Sequence, residues 1–386
     1  MNRAIYRYMI FPAALIAVHS WLEAGSLHKV WELRLDPIIK EPAPLGSASP
    51  HTVNTIRFSP DEQRLAVVVG MHPIEGSFTS HLLIVDTNEP GTENRQFELA
   101  RGVFPGEVDY PALLWSPDGG SITVSGVVIP LGGGKECSFD SWDAWLGGYL
   151  DSHTLVGRLT PAHVDREHPN SRLVLFGSNC QREDIWSVDG AWLIQDVSPD
   201  RGLALVLQTY LGHVGLFDPP KGETLLVDVR RKQVVRRWSA TDLMPHQVRF
   251  AEGGRTLCAA AGGVRRYAVP AQCVDVDTGK VIADAASVKR AWSIVPASES
   301  SRVVIGQYRP EPDDKPTTSV LDCRIVWDFR TNQQIASWRP EVQKWRYPIG
   351  SFRHWRSNPS VFAMSPTGKY TAEGGNGVLR LYEIEP

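Results

Sequence analysis

The sequence predicts an all-β fold: a seven-bladed β-propeller of four-stranded antiparallel blades, the last blade closed by an N-terminal strand. Three observations carry this. The 386-residue chain holds 33 glycines and 28 prolines, more turn-formers than long helices tolerate. A strand–turn–strand pattern recurs along its length. An extra strand near the N-terminus matches one that is missing near the C-terminus.

The recurring pattern is a short apolar strand, Ser-Pro-Asp or a relative, then a second apolar strand. It reads IRFSPDEQRLAVVVG at 56–70, LLWSPDGGSITVSG at 113–126, QDVSPDRGLALVLQ at 195–208 and VFAMSPTGKYTAEGG at 361–375, with weaker copies at 248–263 and 292–307. Proline presets φ at the second turn position and Asp or Gly tolerates the backbone geometry of the next, so each copy is a tight hairpin. The strand after each turn is continuously apolar and is expected to be buried on both faces. Most copies are followed by a third strand ending in a bulky residue plus an acid, as in LLIVDTN at 82–88 and RIVWDFRTN at 324–332. Outer strands such as QFELA at 96–100 and VVRRWSA at 234–240 then complete units of four.

At these residues the chain resembles the WD-repeat β-propeller family, in the degenerate bacterial form in which Ser-Pro-Asp-Gly marks the first hairpin and the Gly-His dipeptide is largely missing. The resemblance spans about residues 27–386 and implies a propeller that binds partners; with the Gly-His pairs missing, it does not carry over the family's internal Asp-His-Ser/Thr-Trp network. Hairpin turns at 59, 116, 198, 251, 297 and 365 leave one interval of double length, where Leu-Asp-Ser-His at 150–153 can open an unmarked blade. That makes seven blades, six being the alternative. HKVWELRL at 28–35, with Trp31, Leu33 and Leu35 alternating, is expected to complete the last blade and remove its open edge.

Residues 1–25 read as a secretory signal peptide: Arg3 and Arg7, then a ten-residue apolar stretch, then small residues. A short helix packed on the domain is the alternative. The stretch is too short to span a bilayer, which needs about 20 residues. The expected domain is therefore 26–386, exported to a periplasmic or extracellular space if the segment is a signal, cytoplasmic otherwise. Five cysteines show no C-x-x-C spacing. Cys258 and Cys273 could be bridged in an oxidising compartment, but buried thiols are the favoured expectation.

With 40 basic and 43 acidic residues the formal charge is −3, which supplies no field for a nucleic acid or an anionic membrane. No nucleophile elbow, zincin motif or Walker loop is written. Gly132-Gly133-Gly134-Lys135 lacks strand–loop–helix context and reads as a loop, and His163, Asp165 and His168, with His153 nearby, read as polar surface more than as zinc ligands. The basic hairpin Arg230, Arg231, Lys232, Arg236 and Arg237 reads as a solvated edge. The candidate binding surface is Trp345, Arg346, Tyr347, Arg353, His354, Trp355 and Arg356, because aromatics and arginines combine apolar area with directional donors. Packing of its tryptophans between blades is the rival reading. The expected function is a non-catalytic protein–protein interaction platform acting through rim and funnel, with no cofactor, no metal, no nucleic acid and no stable membrane insertion. An exported propeller enzyme or small-molecule sensor using funnel residues is the alternative.

Overall fold

The computed structural model describes residues 27–385 except 36, 40–51, 72–78, 92–94, 100–112, 125, 140–143, 160–169, 178, 190–191, 209–222, 240–242, 244–246, 261–269, 289–290, 309–320, 340–341 and 345–356. The described residues form seven four-stranded antiparallel sheets and one two-stranded ladder. Blades one to six run in sequence order, opening with Thr52–Phe58, Leu113–Trp115, Ala144–Asp151, Trp192–Ser198, Gln247–Ala251 and Ala291–Pro296 as the innermost strands. In blade seven Val361–Met364, Tyr370–Gly375 and Val378–Ile384 are joined on the outside by Leu27–Arg34. The expected closure is therefore present, with Leu27 opposite Ile384 and Arg34 opposite Val378. The indole of Trp31 extends the closure to blade one by donating to the Thr87 carbonyl at 2.7 Å.

The core is distributed between the blades. Seven apolar clusters each join two neighbouring sheets, for example Leu65, Val67 and Val69 of blade one against Ala372, Leu379 and Leu381 of blade seven. Each buried Val, Leu or Ile contributes roughly 1.5–3 kcal/mol. This explains why the second strands are continuously apolar: Leu65 to Val69 touch one neighbour with one face and the other neighbour with the opposite face, and all are fully buried. The unmarked blade is Ala144–Asp151, Thr154–Leu159, Asn170–Gly177 and Arg182–Asp189, settling the count at seven. It carries Gly147-Gly148 because its inner strand presses on blade four. A Cβ on Gly147 would lie 2.0 Å from Ile194 Cγ2, and one on Gly148 would lie 2.8 Å from Val197 Cβ.

Outer strands repeat a device the sequence reading did not register. In blades three to seven the pairing with the third strand slips at Ile185, Val235, Ile282, Ile335 and Val30, each an extra residue in a bulge. Three of these, Val235, Ile282 and Val30, are exposed. A bulge twists an edge strand away from flat pairing, so the exposed side chains mark blunted edges.

The expectation of buried thiols is corrected. Cys258 and Cys273 are direct cross-strand partners in blade five and form a disulfide. Cys137, on the outer strand of blade two, is joined to Cys180 in blade three. Spacing hid the second pair, because blade packing alone brings positions 43 residues apart together. Cys323 carries the fifth sulfur.

Candidate functional site

The inner strands surround a cavity of about 430 Å³, lined from all seven blades. It opens on the face of the Ser-Pro turns, where Pro60, Pro117, Pro199 and Pro366 line its mouth. The turns of blades one, two and seven share one construction, from which blade four departs, since its Ser198 hydroxyl has no hydrogen-bond partner among the described residues. In blade two the Ser116 hydroxyl donates to Asp118 at 2.6 Å and accepts the Ser121 N–H at 2.9 Å, while Asp118 accepts the Gly120 N–H at 3.0 Å. Ser59 and Asp61 repeat this in blade one. Serine thus stitches the hairpin ends together, and the acid fills the turn. The Ser116 hydroxyl and the Gly120 amide hold the Asp118 carboxyl below its ordinary range.

Neighbouring turns are latched to one another. Gly119 and Gly368 sit at φ 67° and 76°, a conformation open to glycine at little cost, and their carbonyls accept Arg64 and Arg302 from the preceding blades, both at 3.2 Å. Arg201 reaches Asp277 of the next blade at 2.5 Å, and Thr367 of blade seven donates to Glu62 of blade one at 3.0 Å. The strongest latch joins blades five and six: Arg330 forks onto Glu252 at 2.9 and 2.6 Å, and the Thr256 hydroxyl adds a third bond at 2.7 Å. Burial works to raise the Glu252 carboxyl, but these bonds and the Arg330 charge outweigh it and leave it below the usual value.

Inside the mouth, the residue two places before each turn serine or its equivalent forms one layer of the cavity wall: Arg57, Leu114, Tyr149, Asp196, Arg249, Val295 and Ala363. Four of these are apolar or aromatic, as an enclosed position requires. Three are charged. Arg249 donates to the Gln195 carbonyl and to its side-chain oxygen, the latter at 2.9 Å. Asp196 accepts backbone N–H groups from Phe250 at 2.8 Å and Val197 at 3.0 Å. Burial pushes Asp196 up even so, with Arg249 and the Phe250 amide opposing it in part. Burial also lowers Arg57, the facing Arg249 charge adds to that, and Asp196 offsets it. Both groups keep some surface open to the cavity while the ring of strands surrounds them. Tyr149 is tied back to blade two through Thr123 at 2.6 Å and is raised by burial.

A second polar cluster lies between blades six and seven. Arg324 stacks 4.0 Å over the Phe362 ring and donates to the Ser360 carbonyl at 2.6 Å; Ser360 in turn bonds Glu373, which accepts the Trp338 indole at 3.3 Å.

The surface expected at Trp345, Arg346, Tyr347, Arg353, His354, Trp355 and Arg356 lies outside the described residues, as do residues 1–25 and His163, Asp165 and His168. The structure does describe both ends of that surface segment: Val342–Lys344 pairs antiparallel with Ser357–Pro359, Lys344 opposite Ser357. The segment therefore leaves and returns at one stem. Gly132 to Lys135 form an exposed connection between two strands of blade two, as expected of a loop. His153 lies in an exposed turn. The basic hairpin is more engaged than a solvated edge: Arg236 donates to the Asp277 and Thr278 carbonyls of blade five at 2.5 and 2.9 Å, and Arg237 pairs with Glu223 at 3.0 Å. Among the described residues no group of three or more His, Cys, Asp or Glu is placed to hold a metal ion. None of their helices is long and apolar enough to cross a membrane.

The charged layer was missed in the sequence, although its signal was there. When the repeats are aligned on the turn, the position holds Arg, Leu, Asp, Arg, Val and Ala in IRFSPD, LLWSPD, QDVSPD, VRFAEG, SIVPAS and FAMSPT. Three charges in an otherwise apolar column are the anomaly.

No protein-family model matches the chain, and no curated protein matches it in sequence. Among solved structures it is similar to the Cps50 (Swd1) β-propeller domain of Myceliophteria thermophila, with 13% identity, 93% of this chain and 100% of that chain covered, and a TM-score of 0.53. A chain of the mitotic checkpoint complex aligns at 12% identity over 100% of this chain and 99% of that one, with a TM-score of 0.52. A chain of Kuenenia stuttgartiensis hydrazine synthase aligns at 13% identity over 88% and 97%, with a TM-score of 0.50. The first two are WD-repeat propellers, and the likeness is one of fold.

Proposed function

We propose that this propeller is a non-catalytic platform that binds another protein through the rim loop 345–356 and the loops around it. The observation that carries the reading is the two-stranded stem Val342–Lys344 with Ser357–Pro359, because it anchors at one point of the ring a segment rich in tryptophan and arginine. The latched ring supports it, since a rigid scaffold presents loops without the entropy cost of ordering the body beneath them. The neighbours add that the same ring occurs in a mitotic checkpoint complex.

The test is affinity capture from native extract, comparing wild type with a variant carrying Trp345→Ala, Arg346→Ala, Arg353→Ala and Trp355→Ala, after matched melting curves. A protein recovered in stoichiometric amount with wild type and lost with the variant is the expected result. Equal capture by both would remove the rim loop from the function.

The platform works in an oxidising compartment. Two disulfides favour this, since such bonds persist mainly in exported proteins, and residues 1–25 fit the leader that export requires. N-terminal sequencing of the protein from its native source, with mass analysis of unreduced peptides, tests both: an intact Met1 with reduced Cys137 and Cys180 would place the protein in the cytoplasm. A second reading, small-molecule sensing, is favoured by the charged layer of the cavity.

A further inference from the structure

Arg57 stands apart from the other charges of the channel. Its guanidinium has no hydrogen-bond or ion-pair partner among the described residues, whereas the neighbouring charges are engaged by backbone. It belongs to blade one, yet the two charges it senses, Asp196 and Arg249, come from blades four and five across the ring. It therefore points into the shared cavity. Enclosing a guanidinium without a partner costs free energy, and the same column of the repeat holds Leu114, Val295 and Ala363 elsewhere. A propeller needs nothing charged there, so the arginine is not explained by folding.

The surroundings define what would satisfy it. Arg57, Arg249 and Arg324 line the cavity together with three carboxylates, Asp196 in the wall and Asp200 and Glu299 at the turns, and the Asp196 oxygens already accept two backbone N–H groups. The carboxylate is thus engaged by the wall, and it makes no ion pair with Arg57 among the described residues. Around the charges the cavity offers the polar side chains of Thr55, Gln247 and Ser293 and the apolar walls of Leu114, Val295 and Phe362. A volume of about 430 Å³ is in the range of small-molecule sites and well below what a folded segment requires.

We propose that the central channel is a binding site for a small oxyanion, a solute carrying a carboxylate or phosphate group that is seated on the Arg57 guanidinium with Arg249 behind it. The anion supplies the acceptor that Arg57 lacks, in the planar two-point geometry that guanidinium favours. It enters from the face of the Ser-Pro turns, where the cavity opens. The proposal uses none of residues 345–356 and stands or falls independently of the platform reading.

The experiment is calorimetric titration of the full chain with inorganic phosphate, with citrate and with glycerol as a neutral control, on wild type, Arg57→Gln and Arg57→Lys. Wild type is expected to bind phosphate or citrate but not glycerol, and whichever anion binds identifies the headgroup. Arg57→Gln is expected to bind that anion about tenfold or more weakly, the effect of losing one charge-assisted contact. Arg57→Lys, which keeps the charge and loses the fork, is expected to fall between. The ligand-free melting temperature is the second readout: Arg57→Gln should match or exceed wild type, as at a position kept for a ligand, whereas a structural arginine would lower it. No heat with either anion up to about 10 mM, a range reaching past ordinary weak-site affinities, would overturn the proposal. So would binding that Arg57→Gln leaves unchanged, or a variant that melts well below wild type while Arg57→Lys restores stability without restoring binding.

Discussion

The ring of turns and the channel it encircles use the same residue types to opposite effect. On the turn face, charges are placed where partners already exist. Asp118 takes the Ser116 hydroxyl and a backbone amide, Glu252 takes a fork from Arg330 and a bond from Thr256, and Asp275 takes the Thr278 hydroxyl and amide; all three are held below the ordinary carboxylate range. Two residues before the turn serines, on the inner strands, burial pushes Asp196 up and Arg57 down, away from their charged forms. The contrast marks where this fold gains stability and where it gives some up. Blades are joined by apolar clusters and by the turn latches, and the channel is left free to carry groups that folding disfavours.

Opening the ring gives the largest effect. Deleting residues 27–35 removes the outer strand of blade seven, the Trp31 bond to Thr87 and the Leu35 contacts at the seam with blade one. The single cooperative unfolding transition followed by circular dichroism is expected to disappear. A truncated protein that melts like the full chain would show that closure does not hold the ring.

The next effect isolates the turn face. Glu252→Gln keeps the shape and removes the charge that Arg330 forks onto. The Glu252 side chain is 10% exposed and that of Arg330 51%, so solvent screens part of the loss, and the expected destabilisation in denaturant unfolding is about 2 kcal/mol. A change below about 0.5 kcal/mol would place the latch among surface pairs of no consequence.

The smallest effect separates the two regions by pH. Carboxyls held low, such as Glu252 and Asp118, contribute stability above the ordinary carboxylate range that is lost as pH falls through it. Asp196, held high, acts in the other sense: its contribution is present in acid and is lost as pH rises through its raised value. Asp196→Asn fixes a neutral group at that place. The melting temperature of the variant relative to wild type is therefore expected to increase as pH rises above the ordinary Asp range, and to be lowest in acid, where wild-type Asp196 is also neutral. A difference that does not change with pH would mean that Asp196 is not displaced.

Much of the scaffold was legible because hairpin chemistry is local. Ser59, Ser116, Ser198 and Ser365 announce their turns through residues within five positions, and the strands after them announce their burial by being continuously apolar. Blade three was harder to read: its turn is Asp151-Ser152-His153, without proline, and Gly147-Gly148 in its inner strand reads as a strand-breaker until Ile194 and Val197 of the next blade are placed against it. The candidate rim surface rested on composition alone. The charged channel layer was written in the repeat column but not recognised, since one Arg, one Asp and another Arg, at 57, 196 and 249, look like ordinary surface residues when each repeat is read separately.

Chain pattern was enough to establish the repeat, the turn chemistry and the strand that closes the last blade, all of which depend on residues near one another or on alternation along a single strand, and the folded ring decided seven blades over six. It took the folded ring to establish that Cys137 meets Cys180, that Arg330 reaches Glu252, and that Arg57 shares one cavity with Asp196 and Arg249. Those pairings join different blades, and closing a ring brings together positions that no local pattern relates. The energy of a charge is set by what surrounds it in space, and for Arg57 that is the far side of the propeller.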